Sequence, residues 1–314
     1  MTEQSLVCIG NLTIDEAIHG GINNGPAMGG DAAYAALAAR LFLDDVRMFA
    51  PVGADLPRGL LAQLSAAGVN TDDLPTRDLP TVRNVIDYAA DGSRTWHLQC
   101  SEADFDRMSV YPEDVPEQVL TADGIVLLAM SLPSQLALTP WLRARSTATV
   151  YLDVQEDYLD GNRPALHRMI SCCDVFLPSE IEALALTGCS DIADAAAVLR
   201  ELGPQTVVIT RAERGVLLLT GDGPAIEIGV DTVDPLDSTG AGDAFCGAFA
   251  AVHVRTGNPV AAVEAASSAA RIAIGAYGID GLLAAATTTA TTTASAAGTA
   301  ATTAAGTSRR GVHR

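Results

Sequence analysis

The stretch Asp234–Ala251, DPLDSTGAGDAFCGAFAA, decides how the rest of the chain reads. Gly240 and Gly242 flank one small residue, Ala241. Asp243 follows at once, ahead of a run of small and apolar residues. Glycines leave backbone N–H groups uncovered, so an anion can come close. A helix starting near Ala241 adds its first-turn N–H groups and the positive end of its dipole. A carboxylate placed there repels a resting phosphate. It makes sense if its task is to remove a proton from a nucleophile that attacks the phosphate, as the general base of a phosphoryl transfer. The pattern also fits a capped helix start, with Asp243 merely satisfying the first turn. A dinucleotide fingerprint fits worse, because Gly247 arrives too late for GxGxxG and such a loop follows an early strand.

Bulk properties narrow the partners. The 314 residues suffice for one large domain, or one domain with a small appendage. The formal net charge of −19 argues against a nucleic-acid or anionic-membrane partner. The chain contains no lysine, which excludes Schiff-base chemistry, a lysine general base and a P-loop lysine. In so acidic a chain, backbone donors are a sensible way to hold phosphate. The cysteines Cys8, Cys100, Cys172, Cys173, Cys189 and Cys246 form no CxxC pair, so reduced thiols are expected rather than a zinc site. No run of 18 apolar residues suggests a membrane span, and the N-terminal MTEQSLVCIG lacks a signal-peptide pattern. A cytoplasmic location is the expectation.

Outward from the opening stretch, short apolar runs alternate with helical patterns. LVCIG (6–10), GIVLLAM (124–130), TVYLDV (149–154), DVFLPS (174–179) and TVVIT (206–210) read as buried strands. Such alternation implies a mainly parallel sheet with helices on both faces. A Gly-rich turn is expected before a closely packed helix from about Gly30 to Phe42. A second helix reads from DLPRGLLAQLSAAG, with Asp55 as its N-cap and Gly68 just past its end. Two β-like runs joined by ADGS within 76–104 predict a hairpin outside the main sheet. The Ala/Thr-rich segment 284–314 reads as a disordered or weakly helical tail.

DSTGAGDAFCGAF resembles the C-terminal signature of the ribokinase-like (PfkB) carbohydrate kinase family. The resemblance extends over roughly residues 5–283. GNLTIDE is similar to the family's first strand, turn and acidic substrate ligand, here Asp15. MGGDAAYAALAARL resembles the N-terminal signature, VGADLPRG the VGxDxxG pattern at Gly53, Asp55 and Gly59, and DVFLPSEIEALALTG the segment carrying Asn-x-x-Glu. The resemblance implies a three-layer α/β/α sandwich at 1–75 and 105–283, with 76–104 as a β lid. It implies Asp243 as catalytic base and the N–H groups of Gly240, Ala241, Gly242 and Asp243 as an anion hole. Asp15, Gly29, Gly30 and Tyr34 would hold the substrate. Ser179, Thr210 and Gly215 would lie along ATP, and Glu182 would act on the shell of Mg²⁺. It admits a monovalent cation near Asp237 and a homodimer through the lid.

Three departures bear on function. Ser179 stands where the family has the asparagine of Asn-x-x-Glu, and Ala212 where it often has glycine. Tyr34 replaces an asparagine that binds sugar hydroxyls, so the ring either stacks on a substrate face or narrows the pocket. The expected activity is ATP-dependent phosphorylation of a hydroxyl on a small sugar or polyol. The alternatives are a nucleoside kinase of the same family, with Tyr34 stacking on the base, and a catalytically weak binding or regulatory protein. Asp153 and Gln155, at the end of a predicted strand, have even claims to the site and to a structural role. Arg83, Asn84 and His97 fit a solvated strand face better than the substrate. His19 and His167 read as surface or turn residues.

Overall fold

A computed structural model describes residues 4–89 and 94–291. The main sheet is built from β1 (Ser5–Ile9), then β4 (Asp45–Phe49) and β6 (Val69–Asn70). It continues with β10 (Gly124–Leu127), β11 (Thr149–Leu152), β12 (Val175–Phe176) and β13 (Thr206–Thr210). Two edge strands, β14 (Val216–Thr220) and β15 (Ile226–Ile228), complete it. The intervening numbers belong to smaller sheets: β2 (Thr13–His19), β3 (Ile22–Gly29), β8 (Val82–Tyr88) and β9 (Arg94–Leu98) form one, β5 (Val52–Gly53) and β7 (Thr76–Arg77) the other.

The main sheet runs in the order β15-β14-β13-β12-β11-β10-β1-β4-β6. It is parallel from β6 to β13, and β14 and β15 are antiparallel additions. Alternation sorts each buried strand between two cores. Leu6 and Cys8 of β1 face one core; Val7 and Ile9 face the other. The first core is rich in alanine because Asp31–Arg40, Ala241–Thr256 and Pro259–Ile274 pack at short range. Gly247 marks the closest approach, since a Cβ there would lie 2.0 Å from the Ala35 carbonyl oxygen.

The winding fixes where ligands go. From β1 the chain adds strands toward β6. It then returns to β10, on the other side of β1, and adds strands toward β13. Strand order therefore reverses between β1 and β10, and the crevice at their C-terminal ends is the favoured binding place in such sheets.

Three expectations change. The small sheet outside the main one is not confined to 76–104. Its order, β3-β2-β8-β9, takes half its strands from 13–29, where a Gly-rich turn was expected. Alternation is obscured there by INNGPAMG, and a bulge between Glu16 and Ile18 breaks the register. The second helix, Arg58–Ala66, begins after Pro57 and not at Asp55. Asp55 instead accepts hydrogen bonds from the Thr81 N–H at 2.7 Å and from Arg83 at 3.0 Å, which tie the small sheet to the main domain. Lastly, residues 280–291 are helical, so the first part of the Ala/Thr segment is ordered. Leu282 and Ala286 insert into the alanine-rich core. The hydroxyls of Thr287 and Thr291 bond the carbonyls of Leu283 and Thr287, four residues back, which offsets part of threonine's poor helix propensity. The rest of the tail lies outside the described residues.

Candidate active site

A cleft of about 1070 Å³ opens at the reversal point. Asn11 follows β1, Ala129 and Ser131 follow β10, and Asp153 follows β11, so three C-terminal strand ends form its floor. The start of helix Ala241–Thr256 closes one side and the small sheet leans over another, contributing Thr13, Asp15 and Asn84.

The glycines of the opening stretch do different jobs. Gly240 is the helix N-cap and adopts a left-handed φ of 72°. A Cβ on it would sit 2.2 Å from the Tyr34 ring. Tyr34 is 2% exposed, so its ring forms the underside of the turn and is not free to stack on a substrate. Burial, with Asp237, Asp15 and Asp243 nearby, pushes its hydroxyl above the usual tyrosine range. Gly242, by contrast, has open space where a Cβ would be. The N–H groups of Ala241, Gly242 and Asp243 belong to the first turn of the helix.

Asp15 is 9% exposed and accepts from the Thr13 hydroxyl at 2.7 Å and from Asn84 Nδ2 at 2.9 Å. Both bonds go to Oδ1. Gly29 lies against Oδ2, where a Cβ would come within 1.9 Å. Gly30 has φ 96°, and a Cβ there would meet the Asn11 carbonyl oxygen at 2.4 Å. The Gly-Gly pair is therefore required by the close approach of the two chain segments.

Asp237 shapes the loop ahead of the helix. It is 4% exposed and accepts from the Thr239 N–H at 2.8 Å, the Gly278 N–H at 3.1 Å and the Tyr88 hydroxyl. Because Tyr88 gives its proton to Asp237, Thr239, 2.9 Å away, donates to the Tyr88 oxygen. Tyr88 ends β8, so this cluster ties the small sheet to the loop leading into the Gly240 turn.

Carboxylates crowd the floor. Asp31 accepts from the Asn11 N–H at 2.5 Å and from Asn11 Nδ2 at 3.3 Å. Asp31 and Asp153 are walled in by protein but keep an opening onto the cleft. Burial holds both carboxyls well above their ordinary range. Asp243 adds to this for Asp31, and Glu182, Asp243 and Asp31 add to it for Asp153. Such groups bind protons more tightly folded than unfolded, so ionised they oppose folding. Stability is expected to rise as pH falls through their raised values and to stop rising near the ordinary carboxylate value of about 4. Asp55, whose carboxyl is lowered, loses its contribution only below that window. The expected result is a higher melting temperature at pH 6 than at pH 8, with a smaller difference in Asp153→Asn. An unchanged difference in the variant would dismiss Asp153 as a source.

Of the sequence-predicted residues, the cleft brings together Asp15, Gly30, Tyr34, Gly240 and Asp243, with Asp153, Gln155 and Asn84. Gly29 abuts Asp15 from behind. Ala241, Gly242, Ser179, Glu182, Thr210 and Gly215 are not among its lining residues. Ser179 caps helix Glu180–Thr187: its hydroxyl accepts from the Glu182 N–H at 3.3 Å, and the Glu182 carboxylate accepts from the Ser179 N–H at 2.7 Å. Burial raises the Glu182 carboxyl, the Ser179 bonds lower it, and Glu156 and Asp243 raise it further. Thr210 bridges to Ser179 at the end of β13, and Gly215 turns the chain with φ 85°. Arg83 pairs with Asp55, and His97 is exposed. Sequence reasoning missed Asn11, Asp31, Tyr88 and Asp106. Asn11 and Asp31 sit inside the quoted motifs GNLTIDE and MGGDAAY, which was the available signal. Nothing local marks Tyr88 or Asp106.

Comparison with known proteins agrees with this geometry. The profile of the pfkB family carbohydrate kinases matches residues 6–309. A cytidine kinase from Thermococcus kodakarensis is 33% identical over 260 residues, covering 81% of this chain and 90% of that protein. Among solved structures, a putative ribokinase II from E. coli in complex with ATP and Mg²⁺ superposes with a TM-score of 0.76 at 22% identity, covering 92% of this chain and 99% of the other. Aminoimidazole riboside kinase from Salmonella enterica, complexed with its riboside and an ATP analog, gives 0.73 at 21% identity, covering 90% and 100%. These two show the fold; the profile and the cytidine kinase place the sequence. With helices packed on both faces of a largely parallel sheet, a small second sheet over the cleft, and the STGAGD turn at its mouth, the chain belongs to the pfkB family of carbohydrate kinases.

Proposed function

We propose that the protein transfers the γ-phosphoryl group of ATP to a hydroxyl of a sugar or nucleoside, with Asp243 as the general base. The observation that carries this reading is the convergence of Asp243, the Gly240 turn and Asp15 on one cleft. The acceptor hydroxyl gives its proton to the Asp243 carboxylate as its oxygen bonds to the γ-phosphorus. The bond from that phosphorus to the β-phosphate bridging oxygen breaks, and ADP leaves with the electron pair. The N–H groups of Gly240–Asp243 stabilise the charge on the moving phosphoryl group. Asp15 orients the acceptor by taking a hydrogen bond from a second hydroxyl.

The residues fit a divalent cation. Asp31, Asp153, Glu182 and Asp243 concentrate negative charge, and the described side chains lining the cleft include no basic one. Among the described residues no three His, Cys, Asp or Glu side chains form a ready-made cage. That suits magnesium, which keeps several waters and is shared with substrate phosphates. When bound, it would neutralise phosphate charge, and Asp153, on the cleft lining, would hold its waters, with Glu182 behind it adding negative charge.

A nucleoside acceptor is favoured over a free sugar by two observations. The cytidine kinase likeness covers most of both chains. The cleft also runs past the Asp15 side to Phe105 and Leu132, leaving room beyond a single sugar ring. ADP release with magnesium and ATP across sugars, polyols and nucleosides, with Asp243→Asn as control, tests the proposal. A signal that depends on the acceptor and vanishes in the control supports it. Absence of any acceptor-dependent signal from folded, ATP-binding protein overturns it in favour of a binding role.

Tyr88 is a positioning residue in this scheme. Removing its hydroxyl leaves buried Asp237 short of one donor, and a hydrogen bond to a charged group is worth about 1.5–3 kcal/mol. Tyr88→Phe is expected to lower kcat roughly tenfold with a smaller change in the KM for ATP, because the anion-binding turn loses its tie to the small sheet. A lower melting temperature with kcat intact would reduce Tyr88 to a structural role.

A further inference from the structure

We infer that the far end of the cleft selects an acceptor carrying an amino group, so that the substrate is a nucleoside whose base bears an exocyclic amine. This rests on the kinase reading above and narrows it. The far end has an apolar wall made by Leu98 at the end of β9, Phe105 of helix Glu102–Arg107, and Leu132 and Pro133 at the start of helix Leu132–Arg145. Such a wall suits the face of a flat ring better than the hydroxyls of a sugar.

Asp106 stands beside that wall and lines the same cleft. Its Oδ1 accepts from the Tyr111 hydroxyl at 2.7 Å and from the Ser131 hydroxyl. These two donors fix the carboxylate in place, and neither bonds Oδ2. Burial together with the hydrogen bond to Asp106 pushes the Tyr111 hydroxyl up to about 12. Asn162, also on the lining, spends its Nδ2 on the carbonyls of Tyr158 at 3.0 Å and Asp160 at 3.1 Å. The hydroxyls of Ser131 and Tyr111 and the amide of Asn162 are therefore committed as donors. On Asp106 and Asn162 the oxygens left without a described partner are acceptors: Asp106 Oδ2 and Asn162 Oδ1. Glu102 and Asp157 add two more carboxylates to the lining, while Gln155 keeps an amide that can donate as well as accept.

An exocyclic N–H₂ meeting Asp106 Oδ2 forms a charge-assisted hydrogen bond. A carbonyl oxygen at that place meets a fixed negative charge instead. A site built to bond an N–H group discriminates strongly against the analogue lacking it. Asp106 is half-exposed, which moderates the effect.

The test is kcat/KM of the full chain with magnesium and ATP for cytidine against uridine and adenosine against inosine, with ribose alongside, in the wild type and in Asp106→Asn. The expected result is a preference of at least tenfold, about 1.4 kcal/mol, for the amino member of each pair, lying mainly in KM. In Asp106→Asn the ratios fall toward one, since the amide can meet a carbonyl through its own N–H₂. Ser131→Ala, which loosens the carboxylate without removing it, gives intermediate ratios and guards against a folding defect in the first variant. Equal turnover of amino and oxo partners, ribose outpacing every nucleoside, or a preference that survives Asp106→Asn each overturns the inference and leaves the kinase reading standing. If no acceptor is turned over, the kinase reading fails. Calorimetry with cytidine and uridine then decides the inference, tighter cytidine binding that depends on Asp106 supporting it and equal binding overturning it.

Discussion

Asp243→Asn is expected to lower kcat by about 10²–10⁴-fold, the range a positioned general base contributes, while the affinity for ATP changes little. The substitution is nearly isosteric, so the first turn keeps its shape and, on the proposed reading, the N–H groups of residues 240–243 still face the phosphoryl group. What is lost is the acceptor for the hydroxyl proton. The crowding of carboxylates sharpens the contrast. Asp243 raises the carboxyls of Asp31 and Asp153, so its neutralisation eases the folded state while it removes activity. Steady-state turnover and ATP binding, measured on the same preparation, separate the two effects. A variant with near-normal turnover would end the base assignment, and a variant that no longer binds ATP would show that Asp243 is needed for more than proton transfer.

Gly247→Ala is the second large expected effect, and it acts on folding first. The added Cβ meets the Ala35 carbonyl oxygen at 2.0 Å and the Ala35 carbonyl carbon and Cα at 2.6 Å. All three are backbone atoms, so no rotamer can relieve the contact. Helices Asp31–Arg40 and Ala241–Thr256 have to separate. Overpacking costs about 1–3 kcal/mol and occasionally more, and a backbone clash belongs at the upper end. A drop in melting temperature of roughly 5–10 °C is expected. Gly242→Ala is the matched control: it adds the same methyl one turn earlier, into open space, and alanine is about 0.5–1 kcal/mol better than glycine inside a helix. Its stability holds while, on the proposed reading, its activity falls, because the methyl is added to the turn proposed to hold the phosphoryl group. Thermal melts and turnover of both variants check the pair. Equal melting temperatures would contradict the packing argument, and full activity in Gly242→Ala would contradict the open approach.

The two glycines look alike in the sequence, five residues apart in one small-residue run. Composition explains neither: one is there because a neighbouring helix is close, the other because nothing is. A similar split runs through the small sheet. The 82–98 hairpin was legible because ADGS separates two β-like runs. The 13–29 hairpin was not, because its second strand contains Asn-Asn-Gly-Pro and reads locally as a turn. It becomes a strand only by pairing with β2, which in turn pairs with β8 far along the chain.

By itself the sequence determined the fold class, through strand-length apolar runs alternating with helical patterns. It also determined the local shape at residues 240–243, because a glycine turn, a helix start and a carboxylate are consecutive residues whose geometry is local. Asp15 and Gly30 came from the resemblance of GNLTIDE and MGGDAAY to family motifs, and both line the cleft. The tertiary structure alone decided what surrounds them. It turned Tyr34 from a candidate stacking ring into the buried support of Gly240, and gave Ser179 and Glu182 to each other as a helix cap. It also tied the small sheet to the loop before Gly240 through Tyr88, and set Asp106 beside an apolar wall with one oxygen unspent. Those facts depend on which residues distant in the chain become neighbours, and spacing along one strand or helix carries no record of that.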